Sequence, residues 1–141
     1  VIEHLETIRP ADFQRILDEH ARVVLAGAVR SGKSLLLDGV KPGREVLKTD
    51  DVRGRVDWEK FPGFLVARLR DVPRFVLAGM PAPLALRAGL EVDAAVWIER
   101  SRYPKDGTSD GLRAMVERWE AEAPAGRALV LAERALREGE T

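Results

Sequence analysis

Eight residues, Gly27-Ala28-Val29-Arg30-Ser31-Gly32-Lys33-Ser34, constrain the fold of this chain more than any other feature. They satisfy the pattern G-x-x-x-x-G-K-[ST] at every fixed position. Immediately before them, Arg22 to Ala26 is a short apolar run with paired valines, which reads as a buried strand. Immediately after, Lys33 to Asp38 begins a helix that stops near Gly39. Glycine adopts backbone conformations forbidden to other residues, so successive N–H groups in such a loop can turn inward toward an anion. The start of the helix adds its positive end. Lys33 has the reach to meet the outer phosphates of a polyphosphate, and the Ser34 hydroxyl suits magnesium. A plain strand-to-helix turn with an incidental lysine is the competing explanation. It gives no reason for both glycines, the Lys-Ser pair and the flanking strand and helix to coincide.

The rest of the chain alternates in the same way. Pro10 to Glu19 reads as a helix, with Phe13, Ile16 and Leu17 at spacings of three and four. Glu45 to Lys48 is a short second strand. Asp57 can cap a helix running to about Arg70, interrupted early by Pro62 and Gly63. Arg74 to Ala78 is a third strand, Leu84 to Ala88 a short helix, and Ala94 to Ile98 a fourth strand. Thr108 to Glu122 is a long helix and Arg127 to Leu131 a fifth strand. Glu3 to Ile8 is ambiguous. Residues 1–21 are expected to be an N-terminal helical segment, and 133–141 a loose, helical tail. The expected architecture is a single α/β domain over 1–141, a three-layer α/β/α fold around a mostly parallel five-stranded sheet. Ligands of such sheets bind beyond the carboxyl ends of the strands.

Composition narrows the chemistry. At 141 residues the chain closes one core, and its apolar and charged fractions are those of a globular domain. With 23 basic and 23 acidic residues there is no global field to attract nucleic acid or anionic lipid. The absence of cysteine excludes a disulfide scaffold, thiol catalysis and a cysteine zinc site. Two histidines, His4 and His20, do not make a histidine metal cluster or a histidine-centred triad. No apolar run has the length of a membrane span and the start lacks a signal-peptide pattern, so no membrane partner and a cytoplasmic address are expected. Asparagine is absent, glutamine occurs once and arginine outnumbers lysine. Thermal adaptation and a GC-rich genome both give that bias.

On its loop and its strand–helix order, the chain resembles the P-loop NTPase superfamily. The second strand leads into Lys48-Thr49-Asp50-Asp51-Val52-Arg53, similar to the kinase branch: polynucleotide 5′-hydroxyl kinases, zeta-toxin-like kinases and, more loosely, nucleoside kinases. Thr49-Asp50-Asp51, followed by Trp58 and a strand ending at Gly79, also resembles small P-loop proteins of phages. The kinase resemblance implies Mg-ATP bound by Gly27 to Ser34, with Asp50 as the base that accepts the acceptor hydroxyl's proton. Arg53 would clamp the acceptor, and Ser34, Asp50 and Asp51 would serve magnesium. The acceptor would be a nucleoside, a nucleotide or a nucleic-acid end. Arg100, Arg102 and Lys105, with Arg113 beyond, would form an arginine-bearing lid. A solvated charged loop and an Asp-rich turn are the ordinary alternatives for these two segments. Arg30 faces either solvent or substrate.

One departure stands out. Relatives often end the third strand in an acidic residue, and Ala78 and Gly79 stand there instead. Either Asp50 and Asp51 carry that work or catalysis has weakened, with Glu99 a substitute on another strand. The sequence therefore supports a kinase first and a nucleotide-binding interaction protein second. A switch-type NTPase comes third, because a chain without asparagine has no Asn-Lys-x-Asp guanine reader. Trp58, Trp97 and Trp119 could stack bases, but their spacing suits a core better, with Trp58 the one exception worth testing.

Overall fold

The computed structural model describes residues 2–52, 54–103, 114, 117 and 127–141. Six strands, β1 (Ile2–Ile8), β2 (Arg22–Gly27), β3 (Glu45–Lys48), β4 (Phe75–Ala78), β5 (Ala94–Ile98) and β6 (Ala128–Ala135), form one sheet in the order β1-β6-β5-β2-β4-β3. Every pairing is parallel. The α-helices whose bounds lie among the described residues are α1 (Pro10–Glu19), α2 (Lys33–Asp38), α3 (Thr49–Val52), α4 (Phe61–Leu69) and α5 (Pro83–Arg87). The sheet therefore has six strands rather than the expected five.

Strand periodicity sorts the core into two halves. Val23 and Leu25 of β2 point to one face, where Phe13, Ile16 and Leu17 of α1 and Leu36 and Leu37 of α2 pack. Val24 and Ala26 point to the other, against Phe61, Leu65 and Leu69 of α4 and Ala85 of α5. Covered on both faces, β2, β4 and β5 read as continuous apolar runs, which is why all three are legible without alternation. The steps toward the β3 edge cross one face through α1 and α2. The steps back cross the other through α4 and α5. This is what a single crossover handedness demands. Helix α2 leaves β2 over one face and α5 leaves its neighbour β4 over the other, so a crevice opens beyond the carboxyl end of β2.

Three expectations need correction, and two of them share a cause. Residues 2–8 are a strand, not part of a helical segment. The tail is not a loose helix either, because β6 continues through Ala135. Ile2 pairs with Leu129 and Ile8 with Ala135, so each strand extends the other. Ala132 to Ala135 has a helix-favouring composition, and tertiary pairing overrides it. Beyond β6, Leu136 N donates to Ile8 O (3.0 Å) and Ala11 N to the Glu138 carboxylate (2.7 Å), which pins the tail to the start of α1. The third correction concerns Asp57. It precedes a 3-10 turn, Trp58–Lys60, and makes no side-chain capping bond. α4 begins at Phe61, with proline in its first turn. The expected helix 108–122 lies outside the described residues apart from 114 and 117.

Candidate functional site

A cavity of about 520 Å³ lies at the carboxyl end of the sheet. Its wall takes Val29 to Leu35 from the segment after β2, Asp50 after β3, and Gly79, Met80 and Pro81 after β4. Arg102 and Tyr103 follow β5 and Arg137 follows β6. Five separate connections thus converge on one space of the size that holds a small organic ligand.

The glycine loop forms the floor. Gly27 and Ala28 are its base: Ala28 N donates to Ile98 O (3.0 Å) and Ser31 N to Ala28 O (3.1 Å). Gly32 has φ +104°, and a Cβ there would press on Ala135 and on the Arg102 stem, so the position admits only glycine without strain. Arg30 takes φ +54°, an uncommon conformation for a residue with a side chain. Two contacts hold it there. Arg102 N donates to its carbonyl (2.9 Å), and its guanidinium lies 4.9 Å from the centre of the Tyr103 ring. Arg30 is exposed and lines the cavity.

Lys33 folds back into the loop. Its Nζ donates to Ala28 O (2.8 Å), Gly27 O (3.3 Å) and Ser31 Oγ (3.3 Å). Those acceptors are neutral. Burial pushes the Lys33 pKa down to about 8, and the charge of Asp50 only partly offsets it. The ammonium is therefore short of negative charge and lies beside a cavity. Helix α2 has six residues, so loop amides and this ammonium, more than a long helix dipole, give the site its positive character.

The sequence-expected residues divide clearly. Lys33, Ser34, Asp50, Arg30 and Arg102 are brought together on the wall, with Val29, Ser31 and Gly32. Asp51 and Arg100 are exposed and do not line the cavity. Glu99 lines a different depression, with His4, Glu6 and Glu133. Arg53, Lys105, Arg113 and Trp119 lie outside the described residues. Trp97 is a core residue, whereas Trp58 is 59% exposed and stacks on Phe61 (5.5 Å between centroids). Arg102, expected as a lid arginine, is already engaged. It donates to both carboxylate oxygens of Glu140 (3.0 and 2.8 Å) and to Ala135 O (3.0 Å).

Sequence reasoning missed Arg137 and Tyr103. The usable signal was position, since each follows a strand end. Arg137 would have emerged had β6 been carried to Ala135.

Known family models, curated proteins and solved structures yield no match to this chain.

Among the described residues no three His, Cys, Asp or Glu side chains cluster to hold a metal ion. The oxygens of Ser34 and Asp50 do share the cavity wall. Hard oxygen donors in small number, completed by phosphate and water, are what magnesium accepts. Thr49 is 1% exposed, and its hydroxyl has no hydrogen-bond partner among the described residues. Its side chain packs against Gly79, because a Cβ there would collide with it. A side chain at Gly79, an acidic one included, therefore has no room in this arrangement. Among the described residues no helix is long and apolar enough to cross a membrane.

Proposed function

We propose that this protein is a P-loop nucleotide-binding protein that takes Mg-ATP and transfers its γ-phosphoryl group to a hydroxyl or phosphate of a nucleoside, nucleotide or nucleic-acid end. The observation that carries this reading is the convergence of Lys33, Ser34 and Asp50 on one cavity at the carboxyl end of β2.

The chain's own groups supply the positioning such a reaction needs. The loop amides and Lys33 hold the β- and γ-phosphates. Polyphosphate offers Lys33 the negative charge that Ala28 O and Gly27 O lack, so the ammonium exchanges neutral acceptors for charged ones. Ser34 and Asp50 would hold magnesium, which supplies neutralisation of charge on the phosphoryl oxygens. Asp50 is exposed and lines the cavity together with Met80 and Pro81. Its carboxylate orients the acceptor hydroxyl and takes its proton. Arg30 and Arg102 stand on the same wall and would neutralise charge that builds on the transferring group.

The test is transfer of labelled γ-phosphate from Mg-ATP to a panel of nucleosides, nucleoside monophosphates and 5′-hydroxyl oligonucleotides. Label on one acceptor, abolished by Lys33→Ala and by Asp50→Ala, is the expected result. ATP binding without transfer would favour a second reading, a nucleotide-binding interaction protein. The β4 exit motivates that alternative: Gly79 brings no carboxylate and Thr49 leaves none any space. No binding at all would sink both.

A further inference from the structure

The tail beyond β6 is anchored at several points. Leu136 N bonds Ile8 O, Arg9 Nη1 donates to Arg137 O (2.5 Å), and Glu140 N closes a turn onto Arg137 O (3.1 Å). The turn passes through Gly139 at φ +76°. Its effect is to aim the Glu140 carboxylate back at the cavity wall. One oxygen accepts from Arg137 N (2.8 Å) and from Arg102 Nη1 (3.0 Å), and the other accepts from Arg102 Nη2 (2.8 Å). The two side chains keep only 23% and 31% of their exposure, so water screens this pair less than an open surface pair. The Arg102 fork, and after it the Arg137 amide, hold the Glu140 carboxyl below the ordinary carboxylate range. A planar two-oxygen acceptor on a guanidinium fork has the geometry that a phosphate would use. Both arginines belong to the wall that holds Lys33.

We propose that Glu140 is an internal competitor for Arg102, a carboxylate supplied by the tail that a nucleotide's phosphate must displace before Arg102 can engage it. The inference rests on the nucleotide-binding reading and adds a regulatory element to the same site. A fixed carboxylate next to a polyphosphate is repulsive, and it also occupies the donors the polyphosphate would use. Anything that draws the tail away, such as a cationic partner or modification of the anchoring turn, would open the site.

The experiment is calorimetric titration of Mg-ATP into the wild-type chain, Glu140→Gln, Arg102→Ala and the double variant. Glu140→Gln keeps the side-chain shape and removes the charge at a partly exposed tail position, and a melting curve beside the wild type confirms that it folds. The expected result is that Glu140→Gln tightens binding by about threefold or more, the scale of losing one competing ion pair. In the Arg102→Ala background the same change should have no effect. Unchanged or weaker binding by Glu140→Gln overturns the proposal, and so does tightening that persists without Arg102. If the wild type binds Mg-ATP and Glu140→Gln binds it equally, only this inference fails. If neither binds it, the nucleotide reading fails as well.

Discussion

The ammonium of Lys33 lies among neutral oxygens, and burial lowers its pKa from 10.5 to about 8. The folded protein therefore holds this proton less tightly than the unfolded chain. The resulting penalty is fully present below pH 8 and is relieved as the pH rises toward 10.5. The stability of the wild type relative to Lys33→Met should climb across that window, by at most about 1.4 kcal/mol per pH unit. Urea unfolding of both proteins at pH 7.5 and at pH 10 reads the difference, and a flat difference would mean that the ammonium is solvated. Thr49 and Gly79 give the second test at this scale. Thr49→Val removes a buried hydroxyl that has no partner among the described residues while keeping the shape, so it should be neutral or stabilising by up to about 1 kcal/mol. Gly79→Ala should cost about 1–3 kcal/mol, since it combines φ +149° with a collision against Thr49. A Gly79→Ala protein as stable as the wild type would show that Thr49 can move aside, and the β4 exit could then have carried an acid after all.

Among the elements, those with a local pattern were legible and those defined by their neighbours were not. β2, β4 and β5 announce themselves as apolar runs because both of their faces are covered. α1 does so through Phe13, Ile16 and Leu17 on one stripe. In β1, the apolar residues Ile2, Leu5 and Ile8 recur every three positions, which does not alternate, and the strand exists because β6 lies beside it. Its partner comes from the far end of the chain, so no window of sequence contains the reason for it. The same distance hid the site's last member. Asp50 was found because it follows a strand inside a short recognisable segment, whereas Glu140 meets Arg102 across 38 positions. α1 bears weight in this arrangement, because it carries the chain from the β1 edge over the sheet to β2. Phe13 is fully buried between α1 and the sheet, and Phe13→Ala should cost about 3–5 kcal/mol in denaturant unfolding. A loss below 1 kcal/mol would mean that α1 is not docked as described.

For the molecule as a whole, net charge says little about what it attracts, because 23 basic and 23 acidic residues cancel. The fold undoes the cancellation locally. Among the described residues, Arg30, Lys33, Arg102 and Arg137 share a wall with one carboxylate, Asp50, while Glu140 bonds the guanidinium of Arg102. Positive charge concentrated in a concave, partly desolvated space attracts a polyanion far better than the same charge spread over the surface. A ligand that binds only the folded state also stabilises it by mass action, by about 2.7 kcal/mol at a hundredfold excess over Kd. For a domain of this size each kcal/mol moves Tm by roughly 3–4 °C, so saturating Mg-ATP should raise Tm by about 8–10 °C. Lys33→Ala removes the charge that polyphosphate would meet and should abolish most of that rise. Raising the salt should shrink it in the wild type, because partly exposed arginines are screened more than a buried lysine. Differential scanning fluorimetry with Mg-ATP, inorganic tripolyphosphate and adenosine separates the contributions. A rise with Mg-ATP and tripolyphosphate but not with adenosine would place recognition in the phosphates and the glycine loop. A rise with adenosine alone would move the binding site away from Lys33 and undo the reading of the cavity as a phosphate site.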